Sequence, residues 1–164
     1  MPTKPAGIPG VYVARTTRTG LGVFARVRFA TGDTVFILQG MIRRFGYDDK
    51  YRLGPRWIGV GDRRWLDPAR SYGGYLNHSC DANAVITSRR SIIAVKPIHA
   101  DEEVTIDYST TEVDPFWQMP CGCGQPTCRQ VIRGVQSLPA HIYERYRPYL
   151  GAFVKRGRSG ETSA

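Results

Sequence analysis

Lysine is scarce in this chain: of 23 Lys and Arg residues only Lys4, Lys50, Lys96 and Lys155 are lysine, and the rest are arginine. Acidic residues number 14, so the formal net charge is +9. No stretch approaches the roughly 18 uninterrupted apolar residues of a membrane-spanning helix. The opening Met1 to Gly10 carries a lysine but no apolar run, so it lacks the core of a classical secretory signal. An intracellular setting, cytoplasm or nucleus, is therefore the expectation, with export as an effector left open. Glycine (18) and proline (11) are frequent without a repeat, and 41% of the residues are hydrophobic. That composition excludes a collagen-like chain and a long disordered one, and points to a globular protein rich in turns.

Helix signals are few, and what remains reads as short strands. Val11 to Arg15, Gly22 to Ala25 and Thr34 to Leu38 are β-prone, the last apolar enough to be buried on both faces. Arg56 to Val60 and Trp65 to Asp67 pair through Gly61-Asp62, and Ala84 to Thr87 with Ser91 to Val95 forms a hairpin around Ser88-Arg89-Arg90. Glu103 to Tyr108 puts Val104, Ile106 and Tyr108 on one face. The pairs Arg43-Arg44, Arg63-Arg64 and Arg89-Arg90 fall at expected turns, as solvated faces. One helix is expected late, with Ser137 as N-cap, Pro139 in its first turn, and Ile142, Tyr146 and Leu150 four apart. The fold class is mainly β with short helices. The expected divisions are a flexible tail over 1–9, a body over 10–110, a linker and cysteine loop over 111–134, a helix over 135–154 and a polar tail over 155–164.

The four cysteines are Cys80 and the C-x-C-x4-C run Cys121, Cys123 and Cys128. In a reducing compartment cysteines so spaced are metal ligands more often than disulfides. Three thiolates on a Gly/Pro-rich loop wrap one small cation, and Cys80 closes a tetrahedron. Four sulfurs leave no open position, so the zinc would be structural: a staple, one per chain, pinning the segment after residue 118 to the body. The bland alternative is unrelated buried thiols or a redox pair.

Four motifs in order then identify a family. Gly20-Leu21-Gly22-Val23-Phe24-Ala25, Leu76-Asn77-His78-Ser79-Cys80-Asp81-Ala82-Asn83, Asp101 to Tyr108, and Cys121 to Arg129 resemble the successive motifs of SET-domain protein lysine methyltransferases, the last of them the post-SET zinc loop. The resemblance spans roughly residues 11 to 134 and rests chiefly on N-H-S-C, D-Y and C-x-C-x4-C occurring together. It implies small curved sheets around a knot-like crossing of the Asn77 and Tyr108 segments. It also implies methyl transfer from S-adenosylmethionine to a lysine amine.

By the match, Tyr108 is the catalytic tyrosine. Cofactor contacts are expected from Gly20, Leu21, Gly22, Tyr75, Asn77, His78, Tyr108 and, covering the adenine, Ile132. Phe116 and Trp117 either line the lysine channel or pack the linker. Ala82 and Asp101 replace the family's Pro and Gly, and Ile106 stands where the family often has Phe or Tyr, which leaves the number of methyl groups added open. The implied substrate is a histone tail or another basic protein segment, with nucleic acid a secondary partner through the basic surface. The competing functions are a basic zinc-stapled module that binds nucleic acid, and an inactive SET-like scaffold.

Overall fold

The computed structural model describes residues 10–46, 49, 57–68 and 71–160. The expected N-terminal tail, most of the stretch between Met41 and Trp57, and residues 161–164 lie outside them. The chain begins with an antiparallel pair, β1 (Val11–Arg15) and β2 (Leu21–Ala25), in register from Val11↔Ala25 to Arg15↔Leu21. It continues through β3 (Thr34–Ile37), β4 (Met41–Arg44), β5 (Ile58–Gly61) and β6 (Arg64–Asp67). Then come β7 (Asn77–His78), β8 (Ala84–Ile86), β9 (Ser91–Ala94) and β10 (Glu103–Ile106). The last strands are β11 (Gln118–Pro120) and β12 (Val131–Arg133), followed by α1 (Ala140–Tyr146) and α2 (Ala152–Ser159).

The main sheet runs β1-β2-β10-β8-β9-β3, with β7 on β10; β4-β6-β5 and β11-β12 are separate small sheets. The alternation of side chains along a strand explains how one sheet serves two cores. In β8, Ala84 and Ile86 face the main core with Val23, Ile92, Val104 and Ile106, whereas Val85 faces a second core with Leu138, Ile142, Tyr146 and Val154. β8 is thus the strand buried on both faces. β3, expected to be so, is not: it lies at the sheet edge, pairs only with β9 across a register shift, and leaves Ile37 58% exposed.

The Arg56–Val60/Trp65–Asp67 pairing, the Ala84–Val95 hairpin and the β10 strand form as the sequence suggests, with Arg56 itself outside the described residues. β4 was not expected; Arg43 and Arg44 belong to this strand rather than to a turn, because Met41–Arg44 pairs residue for residue with Asp67–Arg64. Arg63 and Arg90 do lie in turns, with positive φ of 51° and 64°.

The single C-terminal helix is corrected to a 3₁₀ turn (Val135–Ser137) and two short helices. Ser137 does not cap. The carbonyl of Pro139 accepts the first helical N–H groups, from Ile142 and Tyr143. Pro148 has no N–H to continue the ladder, so α1 ends before it and Leu150 is buried beyond the helix. The residues after Lys155, expected as tail, are helical to Ser159. Arg158 donates from Nη1 to the carbonyls of Val135, Gln136 and Leu138 at 2.9, 2.8 and 2.6 Å. Gly157 lies against Val113, where a Cβ would come within 2.8 Å of that side chain. Polar composition concealed this docking because, beside the buried Val154, it rests on a guanidinium meeting carbonyls and on a missing side chain, neither of which registers as hydrophobicity.

Replacing Arg158 by Ala leaves three carbonyls without this donor, and a loss of about 2 kcal/mol is expected from the worth of charge-assisted hydrogen bonds. Thermal unfolding checks it; an unchanged Tm would mean that α2 docks without the arginine.

Candidate functional site

The turn between β1 and β2 is built by its own hydroxyl. Thr16 Oγ1 accepts from the backbone N–H of Arg18 and Thr19 at 3.3 and 2.8 Å, and Gly20 closes the turn with a φ of 86°. Two residues on, Gly22 is buried where a Cβ would collide with the Glu103 carboxylate and the Thr16 methyl and would lie 3.0 Å from the Asn77 amide nitrogen. That close approach lets Asn77 Nδ2 donate both to the carbonyl of Leu21 (2.9 Å) and to Glu103 Oε1 (2.7 Å). One amide therefore ties β2, β7 and β10 together.

Beside it opens a cleft of about 510 Å³, lined by the Arg15–Thr19 turn, Asn77, His78, Glu103 and the Gly124–Gln125 end of the cysteine loop. The volume suits a small organic ligand. Arg18 reaches across its mouth, donating to the Gly122 carbonyl at 3.3 Å. Gly124, with a φ of 73°, lies where a Cβ would overlap that guanidinium. Asp81 and Lys96 also line the cleft, the Asp81 carboxyl held below its ordinary range first by the Lys96 hydrogen bond and then by Arg145.

Next to the cleft two chain segments cross. β10 runs antiparallel to β2 through Glu103 and Val104, then parallel to β7, with Thr105 opposite Asn77 and Ile106 opposite His78. Asn83 clips β10 along its length, donating to the Glu103 carbonyl (2.8 Å) and accepting from Thr105 N–H (2.9 Å). Tyr108 follows directly. Its hydroxyl donates to the Leu76 carbonyl at 2.7 Å and its backbone N–H to His78 Nδ1 at 3.2 Å. Burial, and secondarily Glu103, push its phenol up to about 12, so it remains a hydroxyl at physiological pH. His78 goes the other way: burial first, then Arg129, lower it to about 4, so the ring is neutral.

That neutrality bears on the metal. Ligand atoms of His78, Cys80, Cys121 and Cys123 lie within 4.8 Å of one another, and Cys128 Sγ is 3.7 Å from Cys121 Sγ. Five candidates thus compete for four positions. Because His78 Nδ1 accepts a hydrogen bond, the proton of the neutral ring sits on Nε2, 3.3 Å from Cys80 Sγ. A nitrogen carrying a proton has no lone pair for a metal, so His78 donates to the sulfur instead. The Cys80–Cys121 separation is also 3.7 Å. A tetrahedral zinc with bonds of about 2.3 Å would have edges of about 3.8 Å, so the sulfur set fits that ion. Burial raises the thiols of Cys80 and Cys121, whereas the backbone N–H of Gln130 is the first cause lowering Cys128 to about 7.

Arg129, to which the sequence alone assigns no role, joins these parts. Its Nη2 meets Asp107 Oδ1 and Oδ2 at 2.7 and 2.8 Å, its Nη1 meets Ser109 Oγ at 3.3 Å, and its Nε and backbone N both lie 3.4 Å from Cys80 Sγ. Asp107 is fully buried, caps the 3₁₀ turn Tyr108–Thr110, and immediately precedes Tyr108. Burial raises its carboxyl and the guanidinium opposes that rise. The available signal was an arginine directly after the last cysteine and an aspartate directly before the tyrosine.

Of the sequence-derived residues, Asn77 and His78 line the cleft, Gly20, Leu21 and Gly22 do not line it but follow the Arg15–Thr19 turn that does, Leu21 holding Asn77 through its carbonyl, and Tyr108 stands at the crossing of β7 and β10. Tyr75 packs against the main core, and Ile132 is 1% exposed inside β12; neither lines the cleft. Ile106 is buried in the main core, Phe116 is 87% exposed, and His99 and His141 are exposed. Glu103, Asn83 and the Arg15–Thr19 turn were missed, since a carboxylate, an amide and a polar turn are common on any surface.

A family model described as SET domain matches residues 20–109. Histone-lysine N-methyltransferase trr of Drosophila melanogaster is 31% identical over 137 residues, 73% of this chain and 6% of that protein. Histone-lysine N-methyltransferase TRX1 of Oryza sativa subsp. japonica is 32% identical over 136 residues, 72% of this chain and 13% of that one. The chain thus spans a small part of the length of these relatives. A crystal structure of KRYPTONITE in complex with mCHG DNA and SAH superposes with a TM-score of 0.58 and 22% identity, covering 74% of this chain and 28% of that one, a likeness of fold.

One zinc per chain is expected by native mass spectrometry. Cys128→Ser should lower that stoichiometry and loosen the loop, whereas full occupancy in this variant would make His78 the fourth ligand.

Proposed function

The chain belongs to the SET-domain family, and we propose that it is an S-adenosylmethionine-dependent protein lysine N-methyltransferase acting on a histone tail or another basic protein segment. The observation that carries this reading is the meeting of Asn77, His78 and Tyr108 at one strand crossing beside the cleft. On this reading residues 10–110 form the SET domain and 111–134 the linker and post-SET loop, with the helices after Gly134 as a buttress. A histone substrate would place its action where chromatin is.

Bound in the cleft, S-adenosylmethionine would supply a methyl group on a sulfonium for in-line displacement by a neutral lysine amine. The chain's residues do the rest. Asn77, braced by the Leu21 carbonyl, lines the cleft where the methyl donor would be held, the main chain of Gly20 to Gly22 would add contacts beside it, and the Arg15–Thr19 turn and Arg18 would be its cover. Burial of Tyr108 keeps its hydroxyl protonated and oriented by the Leu76 carbonyl, a fixed dipole beside the transfer path. Neutralising a lysine of pKa about 10.4 at pH 7 costs roughly 4.6 kcal/mol, and a buried aromatic surrounding lowers that cost by disfavouring the ammonium. Positioning amine and methyl on one line accounts for the remainder of the rate.

A zinc held by these cysteines would act at a distance. With four sulfur ligands it has no position for substrate, so its part would be to hold the loop that carries Gly124 and Gln125 over the cleft.

Tyr108→Phe keeps the ring and removes the hydroxyl. Methyl transfer from labelled S-adenosylmethionine to mixed histones is expected to fall by about a hundredfold or more, with cofactor affinity retained. Full activity in the variant would remove Tyr108 from this role, and cofactor binding by the wild type with no transfer to any protein would make the chain an inactive scaffold.

A further inference from the structure

We propose that the end of the three-stranded sheet carrying Arg43, Arg44, Arg63 and Arg64 is a surface that binds the phosphate backbone of nucleic acid. The proposal stands on the arrangement of these side chains and does not depend on methyltransferase activity.

β4 and β6 pair in register, which sets Arg44 directly opposite Arg64 on one face of the sheet end, with Arg43 beside them on the other face and Arg63 in the turn leading into β6. All four are exposed. Like charges directly opposite on neighbouring strands repel, so the fold gains nothing from this pairing. Elsewhere the arginines that serve the fold have partners: Arg129 has Asp107, Arg145 has Asp81, Arg147 has Glu144, and Arg158 has its three carbonyls. Among the described residues none of the four at this sheet end forms an ion pair with an acid.

The one acid of the turn itself is drawn away. Asp62 Oδ2 is bound by Arg156 Nη2 from α2 at 2.5 Å, so its charge is spent toward the body of the protein and leaves Arg63 and Arg64 unneutralised. Arg63 also occupies the left-handed region, at φ 51°, where Asn or Gly would be at ease. Turn chemistry does not call for an arginine there.

The chemistry of the patch favours nucleic acid over an acidic protein segment. All four residues are arginine, whose planar forks match phosphate oxygens two at a time. A polyanion also releases condensed counterions when its phosphates are neutralised, a gain that a peptide with a few carboxylates does not offer. Nucleic acid beside this patch would also offset the repulsion between a chain of net charge +9 and a basic substrate carried on the same scaffold.

The test uses the full chain and a fluorescently labelled random-sequence DNA duplex, with binding followed by anisotropy across a salt series. Two variants remove equal charge: one combines Arg43→Gln, Arg44→Gln, Arg63→Asn and Arg64→Gln, the other Arg89→Gln, Arg133→Gln, Arg147→Gln and Lys155→Gln. The first is expected to bind about tenfold or more weakly, with the slope of log K against log salt shallower by about 3.6, at roughly 0.9 for each of the four phosphates that are no longer neutralised. The second is expected to change affinity by less than about threefold. Should the first set disturb folding, the double variant Arg63→Asn/Arg64→Gln, which suits the turn better, is expected to give about half the change in slope. Equal weakening in both sets, no binding by the wild type at low salt, or displacement by poly-glutamate but not by unlabelled duplex would each overturn the proposal.

Discussion

The ion pair between Asp107 and Arg129 is the constraint on which the site depends. A fully buried carboxylate is costly to keep charged, and a single guanidinium offsets that cost only with good geometry and further hydrogen bonds. Here one guanidinium nitrogen, Nη2, reaches both carboxylate oxygens, and the N–H of Ser109 serves the same carboxylate at 3.1 Å. The guanidinium is supplied by the residue after Cys128, so Asp107 is neutralised only when the cysteine loop lies on the body. Arg129 also faces Cys80, whose loop neighbour His78 receives the backbone N–H of Tyr108. Folding of the loop and placement of the tyrosine are thereby one event.

The cleft has the same character, since three pieces distant in sequence make it. The Arg15–Thr19 turn, Asn77 with His78, and Cys123 to Gln125 of the cysteine loop all line it. Gly22 permits the close meeting of Asn77 with Glu103, and Arg18 lies over the bare backbone of Gly124. Small residues stand where polar groups must approach each other. The hydrogen bonds of Arg129 tie the cysteine loop to the body, and a zinc held by the four sulfurs would reinforce that link.

Much of this was legible in the sequence, and for physical reasons. N-H-S-C, D-Y and C-x-C-x4-C are dense in chemistry and fixed in spacing, and they led to the crossing, the cleft and the sulfur cluster. Strand runs such as Ala84–Ile86 are continuously apolar and bounded by turn residues, so the individual strands were readable too. What stayed hidden depends on tertiary context. β4 is short, polar and at an edge, and its pairing with β6 leaves no hydrophobic period. Arg129 and Arg158 look like surface charge until the buried carboxylate and the free carbonyls that they meet are in place. The helix break follows from Pro148, but the burial of α2 rests on Gly157 and on arginine donors that hydropathy counts as solvent-loving. Tyr75 and Ile132, carried over by motif position, point into cores rather than into the cleft.

The coupling of loop and cleft can be measured directly by titrating S-adenosylmethionine calorimetrically into the zinc-loaded protein and into protein stripped by a chelator. Circular dichroism would be used to verify that the central sheet persists in both. If the loop holds the cleft together through Arg129, stripping should weaken cofactor binding by about tenfold or more, a loss of at least about 1.4 kcal/mol. Equal affinity in the two forms, with the metal shown to be gone, would contradict the claim that the zinc loop and the cofactor cleft are one unit.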